Sequence, residues 1–197
     1  MANLSENERV SAMKPLIQDK PFKLGRRIVV VGTTGSGKTT LAGELAQQLE
    51  VPHVELDALH WETGWTEAPT DLFRERVTRA LSGEAWVTDG NYSAVRDIVW
   101  SRADTIVWLD YSLPTILYRL TRRTFRRIFT REELWSGNKE RVLTQFFSRD
   151  SIFLWAFKTY RRRRREYPEL LSSPEYTHLH LIHLHAPHQE RRFLLSL

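Results

Sequence analysis

The feature that most constrains this chain is a glycine-rich stretch of nine residues. It reads Gly32-Thr33-Thr34-Gly35-Ser36-Gly37-Lys38-Thr39-Thr40, directly after the apolar run IVVV and directly before a helical pattern. This is the spacing G-x-x-x-x-G-K-[S/T], in which glycines let consecutive backbone N–H groups turn inward around an anion. The N-terminus of the following helix adds partial positive charge at the same place. A strand, this loop and a helix therefore predict a site for nucleotide phosphates, lined by all nine residues.

Two side chains of the loop have distinct predicted tasks, and both imply ATP with Mg²⁺ as cofactors. The ammonium of Lys38 is expected to reach the β- and γ-phosphates, and the hydroxyl of Thr39 is expected to bind Mg²⁺. A second partner for Mg²⁺ should follow an apolar strand, and two aspartates do so: Asp89 after AWVT and Asp110 after TIVWL. The turn Gly90-Asn91-Tyr92 exposes the first of these carboxylates. We therefore predict Asp89 as a catalytic and Mg²⁺-binding residue and keep Asp110 as the alternative.

Apolar runs and helical patterns alternate along the chain, which indicates one α/β domain. Runs typical of strands lie at 27–31, 53–56, 85–88, 105–109 and 178–184, and helices are predicted at 37–49, 71–81 and 113–128. Such alternation is typical of a parallel sheet with helices on both faces. We expect this domain to span residues 26–197, after a polar and flexible arm at 1–25. The arginine-rich stretch 120–165 interrupts the alternation, and we interpret it as a helical lid inserted at the carboxyl edge of the sheet.

The residues after the second predicted strand are candidates for binding a phosphoryl acceptor. Glu55 and Asp57 are two residues apart, so a strand would direct both carboxylates to the same side. Ligands of open α/β sheets bind beyond the carboxyl ends of the strands. We therefore predict that Asp57 binds an acceptor hydroxyl or acts as a base, with Trp61 and Trp65 as flat walls. The alternative is a helix cap followed by tryptophans of the core.

The net charge of +5 conceals a strongly basic segment. Residues 119–165 contain 15 Lys and Arg against 4 Asp and Glu. Within them, Arg119, Arg122 and Arg123 follow helical spacing, and cations of this kind stabilise the charge on a transferred phosphoryl group. We predict these three arginines to be catalytic. The run Arg161–Arg165 permits a second interpretation, because it could bind a nucleic-acid backbone by releasing counterions.

Several other functions are disfavoured. The absence of cysteine excludes disulfides, thiolate metal sites and thiol nucleophiles. No apolar run approaches the ~18 residues of a membrane span and no signal segment is evident, so we expect a cytoplasmic protein without a membrane partner. Because the strand phase shifts between Leu181 and Ile182, four nearby histidines cannot share one strand face. We interpret them as polar strand-end residues rather than metal ligands; they are His178, His180, His183 and His185.

The order of GTTGSGKTT, ELDALHW, WVTDGNY and TIVWLDYSLPTILYRLTRR resembles small bacterial P-loop kinases of the adenylate-kinase-like class. The likeness is greatest to the subgroup labelled adenylate-kinase-like or DNA-topology-modulation proteins, and it covers Arg26 to Tyr167. This resemblance implies a P-loop NTPase fold of three layers, with a five-stranded parallel sheet in the order 2-3-1-4-5. It also implies a donor site at Gly32–Thr40, an acceptor region at Asp57–Leu81 and a lid after the fourth strand.

One departure from the adenylate-kinase pattern narrows the range of possible acceptors. Adenylate kinases carry Asp-Gly-aromatic-Pro-Arg after the third strand, whereas this chain has Asp89-Gly90-Asn91-Tyr92-Ser93. The Pro-Arg pair that helps to grip AMP is missing, so we do not expect AMP as the acceptor. We predict an ATP- and Mg²⁺-dependent phosphotransferase that acts on a small hydroxyl- or phosphate-bearing acceptor. The alternative is an ATP-binding, nucleic-acid-associated protein without a small-molecule acceptor.

Overall fold

A parallel sheet of five strands forms the centre of the molecule. The computed structural model describes residues 24–130, 135–137 and 152–197. The sheet consists of β1 (Arg27–Gly32), β2 (His53–Glu55), β3 (Trp86–Asp89), β4 (Thr105–Leu109) and β5 (His180–Leu184). These strands are hydrogen-bonded side by side in the order β2-β3-β1-β4-β5, and every pairing is parallel. The predicted α/β fold and the strand order 2-3-1-4-5 are therefore confirmed.

Helices cover both faces of this sheet. Those in the described ranges are α1 (Lys38–Leu49), α2 (Leu56–His60), α3 (Thr70–Ala80), α4 (Arg96–Arg102), α5 (Leu113–Thr130), α6 (Ile152–Leu171) and α7 (Pro187–Leu195). Side chains of α3, α4 and α6 pack on one face, and side chains of α1, α5 and α7 pack on the other. A small antiparallel hairpin pairs Trp61–Glu62 with Thr66–Glu67 between α2 and α3. None of the helices in the described ranges is long and apolar enough to cross a lipid bilayer.

The central strand β1 explains why the apolar runs are continuous rather than alternating. Val29 and Val31 face the layer of α3 and α4, while Ile28 and Val30 face the layer of α1 and α5. All four side chains are fully buried. A strand that is covered on both faces needs an apolar residue at every position, as parallel sheets generally do. The run IVVV therefore encodes the central place of this strand in the sheet.

The side chain of Asn91 joins three elements at the carboxyl end of the sheet. Its Oδ1 accepts a hydrogen bond from the backbone N–H of Gly32 over 3.1 Å, and its Nδ2 donates to the Gly32 carbonyl over 2.8 Å. The hydroxyl of Tyr167 on α6 donates to the same Oδ1 over 2.8 Å. The amide thus continues the ladder of the sheet beyond β3, at the residue where the glycine-rich loop begins.

The arginine-rich segment differs from its predicted form. Helix α6 continues past residue 165 to Leu171 and contains Pro168, so Arg161–Arg165 lie in the middle of a long helix. Tyr167 from the same helix is buried against Trp100 and Trp108, which places this part of α6 on the sheet. The middle of the predicted lid and residues 1–23 of the predicted arm at 1–25 lie outside the described residues.

We predict that Asn91→Ala lowers the free energy of unfolding by about 1–3 kcal/mol, because it leaves the buried N–H of Gly32 without its acceptor. Ser101→Ala is the matched control, since that hydroxyl is exposed and contacts only the carbonyl of Ile98 in its own helix. Its effect should stay within about 0.5 kcal/mol. Urea denaturation measures both variants. Equal effects of the two substitutions would contradict the role given to Asn91.

Candidate active site

The glycine-rich loop joins the carboxyl end of β1 to the first turn of α1. Gly35 and Gly37 have φ angles of 86° and 99°, in the left-handed region that only glycine adopts readily. A Cβ atom at Gly35 would lie 2.9 Å from Cβ of Leu120, and one at Gly37 would lie 2.7 Å from Nη1 of Arg119. Gly35 is therefore required twice, by the backbone turn and by the close approach of α5, whereas Gly37 is required by its φ angle, because the tip of the Arg119 side chain can move.

The ammonium of Lys38 lies in a strongly charged environment. Lys38 is the first residue of α1 and is half-buried. Burial, and then the positive charge of Arg163, lower its pKa from 10.5 to about 8. The carboxylates of Asp89 and Asp57 act in the opposite direction. A lysine whose charge is opposed by burial and by other cations is stabilised when an anion joins it, and phosphate supplies such an anion.

The structure brings the predicted Mg²⁺-binding pair together. The hydroxyl of Thr39 donates to Oδ2 of Asp89 over 2.8 Å, and the carboxylate is buried at the end of β3. A third residue, His53 on β2, contacts Oδ1 over 2.9 Å. This hydrogen bond raises the pKa of His53, although burial of the ring acts against it. Sequence reasoning missed His53, because its proximity to Asp89 follows only from the pairing of β2 with β3.

The alternative Mg²⁺ ligand, Asp110, belongs to a different cluster. Its carboxylate contacts Nε of Arg164 over 2.9 Å and Nε2 of His183 over 3.2 Å. Of the two aspartates that follow strands, the one in contact with Thr39 is Asp89. Within the described residues the two carboxylates therefore have separate sets of partners.

The three predicted catalytic arginines of α5 differ in what they contact. Arg119 donates from Nη1 to the carbonyl oxygen of Ser36 in the loop over 2.7 Å. Arg123 is close enough to Lys38 for its charge to lower the pKa of that lysine. Arg122 is exposed. The structure thus brings Arg119 and Arg123 to the loop, whereas the side chain of Arg122 is exposed to solvent.

A carboxylate from the C-terminal helix holds Arg119 in place. Glu190 on α7 pairs with Nη2 of Arg119 over 3.1 Å and accepts a hydrogen bond from the Tyr111 hydroxyl over 2.6 Å. The Arg119 guanidinium also lies over the Tyr111 ring, 5.0 Å from its centroid. Burial, and then the contact with Glu190, raise the pKa of Tyr111, so its hydroxyl remains a donor.

A further arginine reaches the loop from α6. Arg163 is buried, and its Nη1 donates to the carbonyl of Gly32 over 3.3 Å. Burial lowers the pKa of its guanidinium. This residue was not predicted, because the sequence alone does not show which of the five consecutive arginines is buried. Helical spacing was the available signal, since Ala156, Thr159 and Tyr167 are buried on the same side of α6.

Asp57 lies in a short helix rather than on a strand. Strand β2 ends at Glu55 and α2 begins at the next residue, so the prediction that a strand directs both carboxylates to the same side is wrong. The Tyr92 hydroxyl donates to Oδ1 of Asp57, and the indole of Trp135 donates to Oε2 of Glu55 over 3.0 Å. Burial and the charge of Asp57 raise the pKa of Tyr92, which keeps the phenol protonated as a donor.

The two predicted tryptophan walls lie together beside α2. The rings of Trp61 and Trp65 meet edge to face with their centroids 5.5 Å apart. Trp61 is half-buried and its carbonyl accepts a hydrogen bond from the Ser136 hydroxyl over 2.8 Å, while Trp65 is exposed. Neither tryptophan belongs to the main core, so the alternative of core tryptophans is not supported.

A cavity of about 490 Å³ opens between the loop after β3 and helix α6. It shares Asn91 and Arg163 with the surroundings of the glycine-rich loop. Its charged lining consists of Arg96, Arg162, Arg163, Glu166 and Glu169. Three guanidinium groups against two carboxylates favour an anionic ligand in this cavity.

The glycine-rich loop lies in a region of the chain that is similar to known proteins. A family described as AAA, the ATPase family associated with various cellular activities, matches residues 28–110, from β1 to the residue after β4. The chain is also similar to a shikimate kinase from Novosphingobium aromaticivorans. The two are 29% identical over 143 residues, which is 62% of this chain and 71% of that protein.

Two solved structures share the fold. The shikimate kinase from Acinetobacter baumannii in complex with shikimate has a TM-score of 0.53 and 18% identity, over 88% of this chain and 93% of that one. A gluconokinase from Sinorhizobium meliloti 1021 has a TM-score of 0.51 and 18% identity, over 89% of this chain and 93% of that one. The chain therefore has the fold of small P-loop kinases, with a P-loop at Gly32–Thr40.

Proposed function

We propose that this protein is an ATP- and Mg²⁺-dependent kinase that phosphorylates a small hydroxyl- or phosphate-bearing acceptor. The observation that carries the proposal is the convergence of four groups at one P-loop. Lys38 lies within electrostatic reach of both Asp89 and Asp57, and Asp89 holds the Thr39 hydroxyl. Phosphoryl transfer requires a cation that binds the donor phosphates, oxygen ligands for Mg²⁺ and a carboxylate that binds the acceptor. Lys38, the pair of Thr39 and Asp89, and Asp57 would supply these three.

The donor side of the site is formed by the P-loop and the cations around it. Its backbone would hold the phosphates, and Lys38 would bind the β- and γ-phosphate oxygens. Arg123 and Arg163 add positive charge near the lysine. Because the cations are held in place before the reaction, they stabilise charge on the transferred group without reorganising.

The residues that would hold Mg²⁺ suit this cation. The Thr39 hydroxyl and the Asp89 carboxylate are hard oxygen ligands, and they are already in contact with each other. His53 fixes the second oxygen of Asp89 and thereby orients the carboxylate. When bound, Mg²⁺ neutralises negative charge on the β- and γ-phosphates.

Asp57 is the proposed base on the acceptor side. Tyr92 donates to Oδ1, which fixes the orientation of the carboxylate and leaves Oδ2 for an acceptor hydroxyl. In the transfer, the acceptor oxygen bonds to the γ-phosphorus while the bond from that phosphorus to its bridging oxygen breaks. Asp57 takes the hydroxyl proton, and the products are ADP and the phosphorylated acceptor.

The kinds of acceptor can be narrowed by the neighbouring cavity and by the relatives. The arginine-lined cavity beside Asn91 suits a small molecule that carries a carboxylate or a phosphate. Relatives named shikimate kinase and gluconokinase support a small-molecule acceptor. The finer assignment to the adenylate-kinase-like or topology-modulation subgroup rests on the sequence motifs alone.

The nucleic-acid alternative is weakened by the orientation of the arginine run. Arg163 is buried against the P-loop, and the partly exposed Arg164 pairs with the buried carboxylate of Asp110, so two of the five guanidinium groups already have partners within the protein. Arg162 pairs with Glu166 over 3.8 Å, and Arg161 lies over the ring of Phe157. These contacts replace the continuous basic stripe that a nucleic-acid backbone would need.

We predict that Lys38→Ala abolishes phosphoryl transfer, with a loss of at least ~10²-fold, and weakens the binding of ATP. An acceptor screen identifies the substrate first, by following ATP consumption with sugars, hydroxy acids, nucleosides and nucleoside monophosphates. Lys158→Ala on the exposed side of α6 is the matched control and should keep the wild-type rate. Turnover of Lys38→Ala at the wild-type rate would contradict the proposed function.

We predict that Asp89→Asn lowers Mg²⁺-dependent turnover by roughly 10- to 100-fold and that Asp110→Asn lowers it less. The reason is that Asp89, and not Asp110, contacts the Thr39 hydroxyl. Steady-state rates over a series of Mg²⁺ concentrations measure the ranking. The reverse ranking would show that the Mg²⁺-binding carboxylate lies at the end of β4.

We predict that Arg163→Ala lowers kcat by roughly 10²-fold, because this guanidinium is fixed beside the P-loop. Arg165→Ala removes the same charge from an exposed position two residues later and should leave kcat unchanged. Under the nucleic-acid alternative, both substitutions would instead reduce the salt dependence of DNA or RNA binding by about 0.9 per phosphate contact. Equal effects on kcat would count against the inward role of Arg163.

A further inference from the structure

Three side chains with metal-binding atoms converge at the carboxyl ends of β4 and β5. Asp110 follows β4, His183 lies in β5 and His185 follows it. Oδ2 of Asp110 lies 3.2 Å from Nε2 of His183 and 3.7 Å from Nδ1 of His185. The three donor atoms all lie within 4.8 Å of one another. Of the four histidines noted in the sequence, His183 and His185 therefore contact the carboxylate of Asp110, which follows the neighbouring strand.

We propose that Asp110, His183 and His185 bind a divalent transition-metal ion of the Zn²⁺ type, at a site separate from the P-loop. A tetrahedral ion at ~2.0–2.1 Å from each ligand holds neighbouring donor atoms roughly 3.3 Å apart. The separations of 3.2 and 3.7 Å are close to this value. The third separation, between the nitrogens of His183 and His185, lies within 4.8 Å, and the partly exposed side chain of His185 has room to adjust.

The ligands are held in place by contacts that a metal ion would not disturb. The His183 ring stacks flat on Trp108, with a centroid distance of 4.0 Å and an interplanar angle of 5°. The backbone N–H of Asp110 donates to the carbonyl of Leu184 over 2.8 Å, and the backbone N–H of His185 donates to Oε1 of Gln189. Binding would thus cost little conformational entropy.

The donor set identifies the class of metal. Two imidazoles with one carboxylate suit Zn²⁺ and its neighbours Co²⁺ and Ni²⁺, whereas Mg²⁺ prefers oxygen ligands. The side chain of His185 is partly exposed, so water can reach the site. Three protein ligands with one open position are typical of accessible zinc sites.

Arg164 is the present partner of the carboxylate. Its Nε lies 2.9 Å from Oδ1 and 3.2 Å from Oδ2 of Asp110, and its Nη1 donates to the Tyr160 hydroxyl. An ion on Oδ2 leaves Oδ1 to the guanidinium, which then orients the ligating carboxylate as outer-shell partners do. The rival explanation is an ion-pair cluster that has no affinity for metals.

The test is a titration of the full chain, free of affinity tags and nucleotide, with Co²⁺ followed by displacement with Zn²⁺. We expect one Co²⁺ per chain with visible d–d absorption that Zn²⁺ removes. His183→Ala and His185→Ala should each weaken binding by roughly 10-fold or more, since even outer-shell changes cost that much. His188→Ala, an exposed histidine on α7, is the matched control and should bind as the wild type does.

Two results would overturn the proposal: no saturable Co²⁺ binding by the wild type, or equal binding by the wild type and His185→Ala. Loss of the His183 ring from Trp108 can impair folding, so His185→Ala decides the question, because its ring is partly exposed. Circular dichroism confirms that each variant is folded. Since no nucleotide or acceptor is present, the result does not depend on the proposed kinase activity.

Discussion

The paired hydrogen bonds between the Asn91 amide and the backbone of Gly32 are the interaction on which the rest of the site depends. They join the end of β3 to the end of β1, where the P-loop begins. Tyr167 and Arg163 bring α6 to the same point, one through the amide oxygen and one through the Gly32 carbonyl. The backbone of a single buried residue, Gly32, is therefore shared by the sheet, the P-loop and the arginine-rich helix. Fully satisfied buried networks of this kind rigidify a structure.

The electrostatics of the site follow from this convergence. Arg163 is carried into the interior by the packing of α6, and it approaches a lysine that is itself half-buried. The resulting repulsion and burial bring the pKa of Lys38 to about 8. Asp89 and Asp57 offset part of this repulsion. An anion bound beside Lys38 would therefore relieve an unfavourable interaction as well as form new contacts.

The strands and the P-loop could be predicted because each depends on a local pattern, whereas the strand order was expected from the family resemblance. A doubly buried strand such as β1 reads as IVVV, and the spacing of Gly35 and Gly37 reflects turns that other residues cannot make. The proximity of Thr39 to Asp89 was expected from the pattern of an apolar strand followed by an aspartate, which typically supplies a partner for Mg²⁺. His53 and Arg163 were not predicted, because their partners lie 36 and 131 residues away and depend on how the layers pack. The helix at Asp57 was not predicted. Strand β2 ends at Glu55 after three residues, and α2 begins at Leu56.

The ion pair between Arg119 and Glu190 has a consequence for biosynthesis. Arg119 supports the P-loop at Ser36, and its carboxylate partner is 71 residues further along the chain. Chains emerge from the ribosome N-terminus first, and local elements begin to fold before later ones exist. The P-loop and α1 are therefore made long before the group that fixes Arg119. A nascent chain would acquire its full phosphate-binding geometry only once α7 has been translated and docked.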